Sequence, residues 1–148
     1  MLGILNTDQI NNLLSSQVIG RIGCTDGKNV YIVPVTYTYD GKYIYGQTNS
    51  GKKLEMIRKN PNVCFEVDQM TDMKNWQSVV INGIFQELSA EEATKAKEIL
   101  YNRIYTLETS STIHSFGHEV SSPKHPKVIR PIMYRILITE ITGRFEKT

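Results

Sequence analysis

The tetrad Ser50-Gly51-Lys52-Lys53 is the stretch of this chain whose residue types and order could hold an anion. A helix is expected to open there. Ser50 can cap it, Leu54 and Ile57 supply its buried stripe, and Asn60-Pro61 ends it because proline drives the preceding residue out of the helical region. Backbone amides at a helix start carry partial positive charge, so each lysine in the first turn sits against the macrodipole by about 0.3–1 kcal/mol. A bound anion reverses that sign. A phosphate would accept from the free amides, from Ser50 and from both ammonium groups, and Gly51 would let it approach the backbone. Read alone, the stretch is equally compatible with two solvated lysines that happen to begin a helix.

Other reactive side chains point to less. His114, His118 and His125 include a pair four residues apart, the spacing of two metal ligands on one helical face. Their segment lacks helical periodicity and no cysteine or acidic cluster completes a ligand set, so no metal is expected. Cys24 and Cys64 stand far apart in apolar stretches, form no CxxC pair and read as buried reduced thiols. Tyr31, Tyr37, Tyr39, Tyr43 and Tyr45 would suit a stacking platform for single-stranded nucleic acid, or simply cross-strand pairing. Net charge decides between these: 17 basic against 15 acidic residues leave +2, too little for a binder that relies on many phosphate contacts.

The elements that must position the tetrad follow from pattern. The 148 residues fit one domain over 1–148, with no repeat or linker dividing them. Apolar runs are too short to span a membrane and no export signal opens the chain, so a cytoplasmic location is expected. Asn6 and Thr7 can cap a short helix that buries Ile10, Leu13 and Leu14. Residues 18–24, 30–39 and 43–48 are rich in β-branched and aromatic side chains and are punctuated by Asp26-Gly27 and Asp40-Gly41, the signature of hairpins. Pro34 cannot donate to a central ladder, which puts its strand at an edge or a bulge and frees backbone groups around Pro34 to Tyr37. Further strands are expected over 63–67, 78–88 and 132–142, with Val63, Phe65 and Val67 sharing a face. Ser89 to Glu92 reads as a capping box for a helix whose apolar face is Ala93, Ala96, Leu100, Ile104 and Leu107. The fold class is therefore mainly β: a six-stranded antiparallel barrel with flanking helices. Residues 108–130 form a long Ser-, His- and Pro-containing loop, a length usually reserved for function or partner contact.

Taken in order, Pro34-Val-Thr-Tyr37, Ile44-Tyr-Gly-Gln-Thr-Asn-Ser-Gly-Lys-Lys53, Asn60-Pro61-Asn-Val63, Ser78-Val-Val-Ile-Asn-Gly83 and the ending Arg130-Pro131 through Tyr134-Arg-Ile136 to Ile141-Thr-Gly-Arg144 resemble the pyridoxamine 5'-phosphate oxidase-like flavin proteins. The branch they resemble is the one related to nitroimidazole-resistance proteins. The resemblance implies a split β-barrel with Greek-key connections, a homodimer and FMN at the subunit interface. It also implies that the flavin-contacting strand is Pro34, Val35, Thr36 and Tyr37. The next contacting strand end would be Gly46, Gln47 and Thr48, and the phosphate-binding basic pair Lys52 and Lys53 after Ser50 and Gly51. Ser78 would be the polar residue facing the flavin from the following long strand, with Val79 beside it and Trp76 near enough to cover a planar ring. For Trp76 a place in the core or an interface is an equal alternative. Ser115-Phe116-Gly117-His118 could reach toward a partner's flavin.

Two departures narrow the activity. Gln47 stands where nitroimidazole-resistance relatives often carry histidine, so a histidine-dependent version of that chemistry is not implied. The Arg-Leu signature that ends true pyridoxamine phosphate oxidases is absent before Glu146-Lys-Thr148, so vitamin B6 oxidation is not expected. What the resemblance implies is an FMN-dependent oxidoreductase that carries electrons from NAD(P)H to a small electron-poor acceptor such as a nitroaromatic or quinone. The cofactor would do the redox work, which suits a sequence without an evident acid–base or nucleophilic constellation. The alternative is a flavin-binding redox sensor or flavin store without turnover; haem in a related barrel is a lesser variant, since no histidine has a clear axial context.

Overall fold

Strand β1 (Leu2–Ile4) leads into helix α1 (Thr7–Ser16), after which β2 (Ile19–Thr25), β3 (Val30–Thr36), β4 (Thr38–Tyr39) and β5 (Tyr43–Thr48) follow. Helix α2 (Lys52–Lys59), strands β6 (Asn62–Asp72) and β7 (Asn75–Glu87), helix α3 (Ala90–Tyr105) and strand β8 (Ile132–Glu146) complete the computed structural model, which describes residues 1–105 and 131–148. The expected loop over 108–130, with His114, Ser115 to His118 and His125, and Leu107 of the expected helix stripe lie outside the described residues.

Both Asp-Gly pairs turn the chain by the same means. Asp26 Oδ1 accepts from the amides of Lys28 and Asn29 at 2.8 and 2.6 Å, and Asp40 Oδ1 from those of Lys42 and Tyr43 at 2.9 and 2.7 Å. Gly27 and Gly41 take φ values of 91° and 94°, a region that side chains resist. Every strand pair is antiparallel, in the order β3-β2-β6-β7-β8-β5-β4, with β1 added beside β8. The two ends of that order, β3 and β4, are separated in the chain by Tyr37 alone, so the sheet closes into a split barrel. Tyr37 holds the corner: its amide donates to the Val18 carbonyl at 3.0 Å, its hydroxyl to the Leu14 carbonyl at 2.6 Å, and its ring meets Phe65 edge-on at 5.1 Å.

The described residues form eight strands rather than six. The run expected as one strand over 30–39 divides at Tyr37, and β1 is a three-residue strand held by long-range pairing with Arg144 to Glu146. β6 and β7 also run further than expected, to a tight turn where the Lys74 amide donates to Asp72 Oδ1 at 2.8 Å. Pro34 does lie on an edge strand, opposite Arg21.

The barrel interior is filled by Ile22, Ile44, Phe65, Val67, Ile81 and Ile136, all buried, and α1 covers one end with Ile10, Leu13 and Leu14. Each such side chain stabilises the fold by roughly 1.5–3 kcal/mol. A full capping box starts α1, Asn6 accepting from the Gln9 amide at 2.9 Å and Gln9 from the Asn6 amide at 2.8 Å. Outside the barrel, α3 packs Ala96, Leu100 and Ile104 on Tyr45 and Met133, as its stripe requires. Its expected Ser89–Glu92 box is replaced: Glu92 turns its carboxylate to Arg135 at 3.2 Å. Cys24 is buried, whereas Cys64, on the opposite face to Val63 and Phe65, is exposed and not buried as expected. No helix among the described residues is long and apolar enough to cross a membrane.

Candidate functional site

A split in the barrel wall lies between β3 and β5. The wall is joined where β4 meets β5, at Thr38 opposite Tyr45 and Tyr39 opposite Ile44. Beyond that point, among the described residues, Val30–Thr36 pair only with β2 and Gly46 to Thr48 only with β8, so two strand edges face one another without a ladder between them. Unpaired edges present backbone donors and acceptors to whatever lies between. This is the freedom that Pro34 forecast.

The far end of the split is occupied by the start of α2. Gly51, not Ser50, is its N-cap residue; it is extended (φ 169°, ψ −171°) and brings no side-chain bond to the first-turn amides. The only carboxylate in the first turn is Glu55, and neither lysine there is ion-paired among the described residues. Lys52 is exposed and rests its ammonium 5.6 Å from the centre of the Tyr31 ring on β3, which ties α2 to the opposite lip. Lys53 is half-buried beside Cys24, whose Sγ lies 4.0 Å from the Lys53 carbonyl, and burial lowers its pKa. Among the described residues, a partly desolvated cation without an ion-pair partner and a helix start without a side-chain cap thus lie beside two strand edges with no ladder between them, a combination whose chemistry suits an anion.

The structure brings together eleven of the fourteen expected residues and separates three. Along the split, Pro34 is exposed and Thr36 half-buried, but Val35 and Tyr37 point into the core and can offer only backbone. Burial pushes the Tyr37 hydroxyl up, out of acid–base use. On the facing lip Gly46 lies on Tyr134, where an added Cβ would come within 2.5 Å of the tyrosine hydroxyl, so a side chain is excluded at that position. Gln47 is half-buried, and Thr48 is buried with its hydroxyl donated to the Asn49 carbonyl at 3.2 Å. Ser50, Gly51, Lys52 and Lys53 close the far end.

Trp76, Ser78 and Val79 lie elsewhere. Val79 is fully buried and contacts no cleft. Ser78 is half-buried on the outer face of β7, between Asp68 and Arg144. Register runs from Pro34 to Arg21, Glu66 and Val80, so Ser78 is three strands away from Pro34 and two residues along, about 15 Å at ordinary strand spacings. Trp76, two residues further, donates its indole N–H to Glu146 at 3.1 Å and lines a hollow of about 460 Å³ with Gln69, Gln77 and Phe145. Its planar face is remote from Lys52 within one chain.

Three features were not anticipated from the sequence. Tyr101 on α3 donates its hydroxyl to Gln47 Oε1 at 3.1 Å; the four-residue spacing of Lys97, Tyr101 and Tyr105 was the available signal. Tyr134 buries its hydroxyl beside Gly46 without a hydrogen-bond partner among the described residues. On the outer face, Arg21 lies 3.7 Å from Glu66 and 3.4 Å from Asp68, and burial together with the neighbouring Asp68 lifts the Glu66 carboxyl to about 7. Around them Ile19, Val30, Ile32 and Val80 expose apolar surface.

Comparison with known proteins matches this arrangement to one family. The family model described as pyridoxamine 5'-phosphate oxidase matches residues 6–145. A Rhizobium meliloti (strain 1021) protein is 27% identical over 96 residues, 65% of this chain and 64% of its own length, so the match spans under two thirds of that relative. Among solved structures, a Mesorhizobium loti FAD-binding protein superposes with a TM-score of 0.80 at 24% identity, over 100% of this chain and 98% of that one. A Bacteroides thetaiotaomicron protein, described as a candidate 5-nitroimidazole antibiotic resistance protein, has a TM-score of 0.73 at 17% identity over 98% and 87% of the two chains. The chain shares its fold with these solved structures and is a member of the pyridoxamine 5'-phosphate oxidase family.

Proposed function

We propose that this chain binds FMN in the split between β3 and β5 and works as an oxidoreductase, carrying electrons from NAD(P)H to a small electron-poor acceptor such as a nitroaromatic or quinone. The observation that carries the reading is the start of α2, without a side-chain cap and bearing Lys52 and a half-buried Lys53 that has no ion-pair partner among the described residues. A terminal phosphate there accepts from first-turn amides and from both ammonium groups. The edge of Pro34 to Thr36 offers backbone groups along the ring, and Gln47 offers its amide from the facing lip, whereas the Tyr37 amide is already donated to Val18. Flavin, when bound, supplies the hydride and electron chemistry, and the protein's part is to bind, orient and exclude water. FAD is the competing ligand, as the Mesorhizobium loti protein's own description warns. A helix start that ends the cleft suits a terminal phosphate better than a bridging pyrophosphate.

A homodimer belongs to the same reading. Ser78 and Trp76 are too far from Lys52 to share one flavin within a chain, and they lie on an outer face that exposes Ile19, Val30, Ile32 and Val80. A two-fold axis through such a face would bring one copy's Ser78 to the other's cleft and make two equal sites. The absorbance spectrum of purified protein, mass spectrometry of the released flavin, sedimentation, and anaerobic titration with NADH and NADPH test the proposal in turn. A yellow dimer that releases FMN and is reduced by either nucleotide supports it. Bound flavin that neither nucleotide reduces would identify a flavin store or sensor instead, and a colourless monomer that takes up no flavin would overturn it.

A further inference from the structure

We propose that Tyr101 is a positioning residue for the flavin site, acting through Gln47; this rests on the flavin reading above. Gln47 is the one amide side chain on the lips of the split, between Gly46, which Tyr134 keeps free of a side chain, and Thr48, whose hydroxyl is turned to its own backbone. An amide side chain has one acceptor oxygen and two donor hydrogens. In this structure the oxygen of Gln47 accepts the Tyr101 hydroxyl at 3.1 Å, which commits the acceptor end of the amide to α3 and leaves the NH2 end for another partner. Released from Tyr101, the amide could rotate and present either end.

The tyrosine is itself held. Lys97 places its ammonium 5.3 Å from the Tyr101 ring centre one turn before it, and Tyr105 meets the ring edge-on at 6.1 Å one turn after. The helix that carries all three is fixed to β5 and β8 through Ala96, Leu100, Ile104, Tyr45 and Met133. α3 therefore buttresses β5 from outside the barrel, and the Tyr101 hydroxyl is its polar contact with a lip of the cleft. Such a residue touches no ligand. Its work is to keep two donor hydrogens turned toward the split, where carbonyl, hydroxyl or phosphate oxygens of the flavin would accept them.

A double-mutant cycle on FMN affinity tests this, with Tyr101→Phe, Gln47→Ala and the pair together. Tyr101→Phe keeps the ring and its packing, so the flavin-free variant should melt within about 4 °C of the wild type, an effect on the order of one part-buried hydrogen bond. FMN binding should weaken by about three- to tenfold in Tyr101→Phe and at least as much in Gln47→Ala. The pair should match Gln47→Ala alone, because the proposed effect on FMN passes through the Gln47 amide. A Tyr101→Phe loss that persists undiminished in the Gln47→Ala background makes the tyrosine merely structural and overturns the proposal, as does no loss at all. Wild-type protein that binds no flavin would instead remove the reading on which the proposal stands.

Discussion

Two helix starts in this molecule are built in opposite ways. α1 begins with a reciprocal capping box between Asn6 and Gln9 and an aspartate, Asp8, in its first turn, so its amides and its dipole are answered within the chain. α2 begins at Gly51 without a side-chain cap and sets Lys52 and Lys53 where positive charge already gathers. Stability alone would favour the first design at both places. The second accepts a small loss of stability at a position where an external anion would restore it, the usual relation between a local weak point and a binding site. Carboxylates show the same contrast. The amides of Asn29 and Lys28 hold Asp26 below the usual range, whereas Glu66 on the outer face is half-buried against Asp68 and its carboxyl is lifted to about 7.

The largest way to break this comparison is Lys52→Ala with Lys53→Ala. Two charge-assisted contacts of about 1.5–3 kcal/mol each would vanish, so FMN affinity should fall by about a hundredfold or more. The flavin-free double variant should melt at the same temperature or slightly higher, since two cations leave the positive end of a dipole. Calorimetric titration and melting of the same preparation read both signs. Asn6→Ala is the mirror experiment at α1: it should cost about 1 kcal/mol of stability, roughly 2–4 °C in melting temperature, and leave FMN affinity alone.

Smaller again is the effect of giving α2 the cap it lacks. Gly51 is extended backbone that any residue can adopt, so Gly51→Ser should stabilise the flavin-free protein by a few tenths of a kcal/mol, measurable in paired denaturant melts. Glu66 gives an effect of similar size that is bound to pH. Its folded value lies above the ordinary 4.5, so the fold favours the protonated acid; that stability is fully present below about pH 4.5 and is lost as pH rises through about 7. Glu66→Gln should flatten this slope and raise the melting temperature at pH 8 by about 1–3 °C, a modest figure because the side chain is partly solvated.

Local chemistry made much of this legible. Asp26-Gly27 and Asp40-Gly41 announce their turns, the stripe of Ile10, Leu13 and Leu14 announces α1, and Pro34 marks an edge strand because it lacks a donor. What was not legible depends on distant partners. β1 is a strand only because Arg144 to Glu146 lie beside it, and the closure at Tyr37 depends on contacts with Val18 and Leu14. Cys64 was legible but outweighed: alternation with Val63, Phe65 and Val67 puts it outside, while the general tendency of cysteine to be buried argued the other way. At the site, the run from Gln47 to Lys53 could be read as an anion cradle, yet spacing could not reveal that Val79 faces the core and Ser78 the outside, three strands from Pro34.

The claim at the centre of this account is that the start of α2 holds the phosphate of a flavin. It is tested most directly by comparing the affinities of the wild-type protein for FMN and for riboflavin, which differ by that phosphate alone. The account predicts FMN binding tighter by about a hundredfold or more, a difference of roughly 2.7 kcal/mol. Equal affinities would contradict it, because a flavin held without its phosphate leaves Lys52 and Lys53 no part in the site.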